Sequence, residues 1–593
     1  MTTFHADVPD VKRLLKREWL CCSLLARTPA HSSRCLLHPF SPTVFRGTPP
    51  FPDWTQPIHN RYTNEWSSSS YEEPFYYSAR QQEQKMGNQI VETRYGKVQG
   101  YEQGAISVWK GIPFAQPPTG SRRFRAPQPP EPWMGVRETA AFSPMAPQVP
   151  AMGANMVGAL GAERAVDPRP MSEDCLYLNI WSPGAGREMR PVMVYIHGGA
   201  FTLGSASDPW YDGTSFAANH NIVVVSLNYR LGILGFVSLR DLAGAEAGYT
   251  ANCALLDQIA ALTWVRDNIA AFGGDPDQVT VMGESAGAMS IGALLGMPAA
   301  HGLFQRAILQ SGAAGNLNTR PQATQIAQAL LAKLGLEPSQ LAALTEVPVE
   351  TLLKIQPELG REFGGVRAYS PVIDGETLPQ HPLAMITQGS AAQVTILAGT
   401  NRDEWRLFAM MSGGPQVDAE QLTQLFGDEA KPVLATYTQA RADQSPELAW
   451  VDLMSDLVFR MPAIRLAEGQ VRQGVPVWMY RFDWESPAFG GVLGAAHAMD
   501  IPFVWNTLDT PLSRMFTGDS PARQELSDLM HTAWASFIRS GTPAAALLPA
   551  WPPYDLQRRA TMIFSDVPHV VDDPQGQVRA LWKQALYSGV VKD

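Results

Sequence analysis

Ser285 stands in Gly283-Glu284-Ser285-Ala286-Gly287, a G-x-S-x-G pentapeptide. A serine hydroxyl attacks carbonyl carbon only when a base takes its proton and a third group holds that base. The surroundings suit a sharp turn between a strand and a helix. Residues 279–282 read Val-Thr-Val-Met, an apolar strand run. The small residues after Ser285 lead to Ile291, Leu294 and Leu295 at helical spacing. Glycines on both sides admit backbones too close for a Cβ. A helix N-terminus behind the serine favours developing negative charge.

The chain offers 11 histidines as bases. His497 lies in a loop of small residues, Leu493-Gly494-Ala495-Ala496-His497-Ala498-Met499-Asp500, beyond an apolar strand run at 475–480. Loops at the carboxyl ends of parallel strands are where doubly wound folds place reacting groups. His531, inside a helical pattern, and His569, after a short apolar run, read as packing or surface residues. In the α/β-hydrolase order the acid falls between serine and histidine. Residues 394–405 fit, with a buried strand and then a polar turn carrying Asp403 and Glu404. Spacing leaves both carboxylates open. A tetrahedral intermediate also needs backbone N–H donors fixed in advance. The apolar run at 192–196 feeds His197-Gly198-Gly199-Ala200-Phe201, whose small residues let the backbone approach an oxyanion, and Gly204 keeps the loop tight.

The elements that must position these groups alternate. Strand runs are read at 176–181, 191–196, 222–227, 279–282, 306–310, 394–398 and 475–480. The run at 222–227 is nearly all β-branched, as in a strand buried on both faces. Leu255, Ile259, Leu262, Val265, Ile269 and Phe272 recur at helical spacing before Gly273-Gly274-Asp275-Pro276. A late amphipathic helix is read at 522–540. Segments 315–390 and 405–470 are helical in pattern and suited to wall a pocket. This order predicts an α/β protein with a mainly parallel, doubly wound sheet and large helical insertions.

Composition bounds the rest. The 593 residues are 45% hydrophobic and 17% charged, with net charge -10. An acidic surface argues against nucleic acid and anionic membranes as partners. No apolar run approaches the roughly 20 residues that span a bilayer. Of the five cysteines, Cys21, Cys22 and Cys35 fall early, and Cys175 and Cys253 are far apart among apolar neighbours. Buried free thiols and a reducing compartment are expected. Residues 1–85 have another texture: Lys12, Arg13, Lys16 and Arg17, prolines from Pro39 to Pro57, and Ser67 to Ser70. A short apolar run at 19–26 makes a poor signal peptide. A hairpin is read at 90–101, turning at Tyr95-Gly96. We expect 1–85 to be a disordered extension or a misassigned start, and 86–593 to be one domain.

The chain resembles the type-B carboxylesterases, the group of bacterial para-nitrobenzyl esterases, animal carboxylesterases and cholinesterases. The likeness runs from about 86 to 586. It is carried by Trp109-Lys110-Gly111-Ile112-Pro113-Phe114-Ala115, Ser172-Glu173-Asp174-Cys175-Leu176-Tyr177-Leu178-Asn179, the 197–201 loop, Asn228-Tyr229-Arg230-Leu231-Gly232, Gly273-Gly274-Asp275-Pro276, the serine pentapeptide, the 401–404 turn and His497. The resemblance implies an α/β-hydrolase fold and hydrolysis of carboxylic esters of small to medium acyl chains, with carbamates or amides as the alternative. A non-catalytic binding protein of the same fold is the remote rival. It implies Ser285 as nucleophile, His497 as base, and Glu404 as the orienting acid in preference to Asp403. It assigns the oxyanion hole to the N–H groups of Gly199, Ala200 and Ala286. Loops of this type, with two glycines and a small third residue, are similar to ones that accept bulky alcohols. No metal or organic cofactor is implied. The partner is a small-molecule ester, and the enzyme is expected to be cytoplasmic, a monomer or weak oligomer. Two departures stand out. Ala146 occupies the place of the cysteine that often pairs with Cys175's counterpart. Asp500 stands where the family often has Glu, and with Glu284 and Ser311 it is expected to form a polar network beside the triad.

Overall fold

The computed structural model describes residues 89–149, 170–185, 188–244, 247–441 and 445–582. The expected extension and its three cysteines lie outside them. An eleven-stranded sheet dominates the described residues. Its strands are β1 (Tyr101–Gln103), β2 (Ile106–Pro113), β3 (Tyr177–Ser182), β4 (Arg190–Ile196), β5 (Val223–Leu227), β6 (Gly274–Glu284), β7 (Arg306–Gln310), β8 (Thr395–Asn401), β9 (Val477–Phe482), β10 (Ala560–Phe564) and β11 (His569–Asp572). The order across the sheet is β11-β10-β9-β8-β7-β6-β4-β5-β3-β2-β1. From β10 to β5 every neighbour is parallel. Antiparallel pairing adds β11 at one edge and β3, β2 and β1 at the other. The expected hairpin pairs Ile90–Thr93 with Gly96–Gln99 outside this sheet.

Both faces of the central strands are covered, which explains their continuous apolar runs. Along β4, Val192, Val194 and Ile196 join a core shared with Leu255, Leu262 and Ile291. Met193 and Tyr195 point into a second core with Trp505, Trp534 and Phe537. The alternation is the two-residue period of a strand. The first core includes helix Cys253–Asn268, closed by Gly273 at φ 83. The sequence suggests one apolar face there. The structure also buries Ala254, Asp257, Gln258, Ala261 and Trp264, so the helix is enclosed round most of its circumference. Its buried Asp257 pairs with Arg230 at 2.6 Å, as a buried charge requires.

The sequence reading does not anticipate β2, β10 or β11, and it gives Tyr101 to the hairpin where the structure begins β1 of the main sheet. In β2 the register shifts between Trp109 and Ile112, which hides the period of two. β11 is an edge strand with exposed ends. β6 begins at Gly274, five residues before the apolar run at 279, because Gly274 pairs with Arg190 ahead of an irregularity. The helical segments appear as expected, among them Arg320–Leu334, Val349–Glu362, Ala430–Ala440, Pro446–Ser455 and Met461–Arg472.

From β4 the chain moves to β5 on one side, and from β6 to β7 on the other. The carboxyl ends of β4 and β6 therefore flank a topological switch point, where open α/β sheets bind ligands. The loops after β4, β6, β7 and β8 all leave the sheet there, and the loop after β9 returns to them.

Candidate active site

Ser285 links β6 directly to helix Ala286–Leu294. Its backbone has φ 54 and ψ -122, a region costly for a residue with a Cβ. The turn is held on both sides. Its N–H donates to Gln310 O at 2.9 Å, and its carbonyl accepts from Met289 N at 2.8 Å. A Cβ on Gly287 would sit 2.0 Å from Ile196 O, and one on Gly283 2.7 Å from the Gly287 carbonyl carbon. Only glycine allows this packing of the turn against β4.

Glu404 ends the turn after β8 and is wholly buried. Its Oε2 lies 2.6 Å from His497 Nδ1. A carboxylate accepts, so Nδ1 carries the proton and Nε2 is left as the basic atom. Oε1 accepts from Asn401 N at 2.7 Å, which fixes the carboxylate plane. His497 Nε2 is 3.2 Å from Glu284 Oε1, a charge contact outside hydrogen-bond geometry. Burial alone would lower the imidazole pKa, but Glu284 and Glu404 more than reverse that and raise it. Burial likewise lifts Glu284 well above the usual carboxylate range. Ser285 and His497 are each 8% exposed.

The 197–201 loop leaves β4 with Gly199, Ala200 and Phe201 all at positive φ. Tyr229 OH donates to His197 O at 2.7 Å, and the two rings stack at 4.4 Å. His197 Nδ1 lies 2.8 Å from Gly198 O. Burial pushes that imidazole down to about 4, so it stays neutral. An ideal Cβ on Gly198 would lie 3.1 Å from Ser285 Cβ, which puts the loop against the serine. Ala286 opens the helix, where the first N–H groups have no partner inside it.

Asp500 Oδ2 accepts from Gln310 Nε2 at 2.8 Å and from Tyr480 OH at 2.9 Å. Its Oδ1 is 3.4 Å from Asn401 Nδ2. Ser311 Oγ and Glu284 Oε1 have no hydrogen-bond partner. Asp500 therefore reaches Glu284 through its field, and the partners that hold it are Gln310, Tyr480 and Asn401. Sequence reasoning did not find Gln310 or Tyr480 in this role. It also missed Phe408 and Phe459, whose rings lie 5.1 and 4.7 Å from the His497 ring. Phe459 sits in a π-helical turn, Asp456–Arg460. Such turns recur at functional sites, but one extra residue within helical spacing leaves no mark in a hydrophobic pattern. His531 is buried against Phe216, and His569 is exposed. Cys175 and Cys253 are both buried and free. Among the described residues no helix is long and apolar enough to cross a membrane.

The fold and this cluster define an α/β hydrolase. Residues 87–582 match the profile of the family described as "Carboxylesterase family". The chain is 41% identical over 505 residues to the para-nitrobenzyl esterase of Bacillus subtilis (strain 168), covering 83% of this chain and 98% of the relative. It is 37% identical to a phenmedipham hydrolase of Pseudarthrobacter oxydans, over 80% and 95%. The crystal structure of Geobacillus stearothermophilus carboxylesterase Est55 superposes with TM-score 0.75 at 41% identity, over 83% and 99%. The chain belongs to the carboxylesterase family and is a carboxylic ester hydrolase.

Proposed function

We propose that the protein is a serine carboxylesterase for esters of small to medium acyl chains, acting through an acyl-enzyme on Ser285. The observation that carries this reading is the 2.6 Å contact of Glu404 with His497 Nδ1, across the sheet's carboxyl ends from a strained serine. Ser285 Oγ attacks the ester carbonyl while His497 Nε2 takes its proton. Glu404 stabilises the imidazolium. The N–H groups of Gly199, Ala200 and Ala286 receive the oxyanion. His497 returns the proton to the departing alcohol, and water repeats the cycle on the acyl group. Glu284 and, through its field, Asp500 raise the proton affinity of the base. The mechanism calls on no metal or organic cofactor.

The glycine-rich loop supports acceptance of bulky alcohols, since Gly198 puts no side chain beside Ser285. tert-Butyl acetate should turn over measurably where ethyl esters do. An undetectable rate on it counts against this breadth. The name of the Pseudarthrobacter relative supports a second reading, hydrolysis beyond simple esters. A panel of esters, carbamates, anilides and phenmedipham separates the two. The buried free thiols fit a reducing, cytoplasmic setting, with the protein a monomer or weak oligomer. The chemistry is tested with a fluorophosphonate probe and peptide mapping. We expect one covalent adduct, on Ser285, and an adduct on another serine would refute the assignment.

A further inference from the structure

The turn after β8 carries two neighbouring carboxylates, and they face opposite ways. Glu404 meets His497. Asp403, also wholly buried, enters a knot of three guanidiniums. Its Oδ1 is 2.7 Å from Arg441 Nη1 and 3.3 Å from Arg406 Nη2, and its Oδ2 is 2.8 Å from Arg402 Nη2. Burial alone would raise this carboxyl's pKa, but the arginines hold it below the usual range. Oδ2 also accepts the N–H of Ala495 at 3.0 Å, and the N–H of Asp403 donates to Ala495 O at 2.9 Å. One residue thus grips Ala495 by both of its main-chain groups, two positions before His497.

Neighbours complete the grip. Asn401 Nδ2 donates to Ala496 O at 2.7 Å, and Arg406 Nη1 to Val492 O at 3.3 Å. A Cβ on Gly494, at φ +57, would lie 2.4 Å from Asp403 Oδ2. The histidine loop buries Leu493, Ala495 and Ala496 in the second core, but Gly494, Ala495 and Ala496, the three residues before His497, carry little side chain with which to fix its orientation. A short hydrogen bond to Glu404 demands placement within roughly 0.5 Å. The polar clamp adds a directional hold to that packing. It also reaches outward. Arg441 follows helix Ala430–Ala440 in the helical insertion and lies 3.4 Å from Asp452, and Arg402 meets Glu485 beyond β9 at 2.8 Å.

We propose that Asp403 is a positioning residue for the esterase reaction, holding His497 against Glu404 by clamping Ala495 and tying that placement to the helical insertion through Arg441. The proposal rests on His497 being the base. The charged groups facing His497 are Glu404 from the β8 turn, Glu284 from the end of β6 and, through its field, Asp500. Those facing Asp403 are Arg402, Arg406 and Arg441.

The test compares wild type, Asp403→Asn, Arg441→Met and His497→Ala in the full chain on p-nitrophenyl butyrate. Rates are normalised to folded protein by near-UV circular dichroism. Asp403→Asn should lower kcat about 10- to 100-fold with KM within about twofold. The acid limb of its kcat/KM profile should move to lower pH, because a slack loop loosens the carboxylates that raise the imidazole. Arg441→Met should move both in the same direction by less, and it decides the matter if Asp403→Asn does not fold. Folded variants with wild-type kcat, or with an unmoved acid limb, overturn the proposal. Retained activity in His497→Ala would instead refute the reading of the base.

Discussion

At the scale of single residues, Glu284 is the informative neighbour. It precedes Ser285, the proposed nucleophile, and its Oε1 lies 3.2 Å from Nε2 of His497, the proposed base. A negative neighbour favours imidazolium, which cannot act as base. Replacing Glu284 by Gln removes the foremost charge that raises His497. Because Glu284 itself ionises well above the usual carboxylate range, its charge acts on the ring above that raised pKa; there the neutral ring persists to lower pH in the variant, and the acid limb of kcat/KM should shift downward. A pH–rate profile between about pH 5 and 9 reads this, and an unmoved limb would contradict the coupling. Residue-scale legibility was uneven. Ser285 announces itself by its glycines. Asp403 and Glu404 are indistinguishable by spacing, because which of two adjacent side chains faces the base is decided by partners remote in sequence: Arg441 on one side, His497 on the other.

At the scale of elements, the turn at Ser285 depends on close passage against β4. Gly287→Ala places a methyl 2.0 Å from Ile196 O, and main chain cannot yield as a flexible side chain can. We expect destabilisation of roughly 2–3 kcal/mol, seen as a lower urea midpoint with the slope unchanged, and loss of activity even where the protein remains folded. Near wild-type stability would show that β4 and the turn are looser than the structure has them. Strands flanking the site were legible because burial on both faces leaves long β-branched runs, as in β5. β2 was not, since its irregularity breaks the alternation. The π-turn that brings Phe459 to His497 was invisible for a related reason. It displaces one side chain without changing the apolar content of its segment.

At the scale of the whole molecule, the doubly wound class followed from alternating strand and helix patterns, while strand order did not. The reversal between β4 and β6 depends on which face each helix takes, and no local pattern states it. All the site residues fall within 89–582, and the family match spans 87–582. We therefore propose that residues 1–85 are dispensable for catalysis. A chain begun at Met86 should keep kcat/KM on p-nitrophenyl butyrate within about twofold, and a large loss would assign the segment a part in folding or substrate binding. The most direct test of the central claim is kcat of Ser285→Ala beside wild type on p-nitrophenyl butyrate, with the fold of both verified by circular dichroism. We predict a loss on the order of 10⁵- to 10⁶-fold in a folded protein. Undiminished turnover in that variant would contradict Ser285 as the nucleophile.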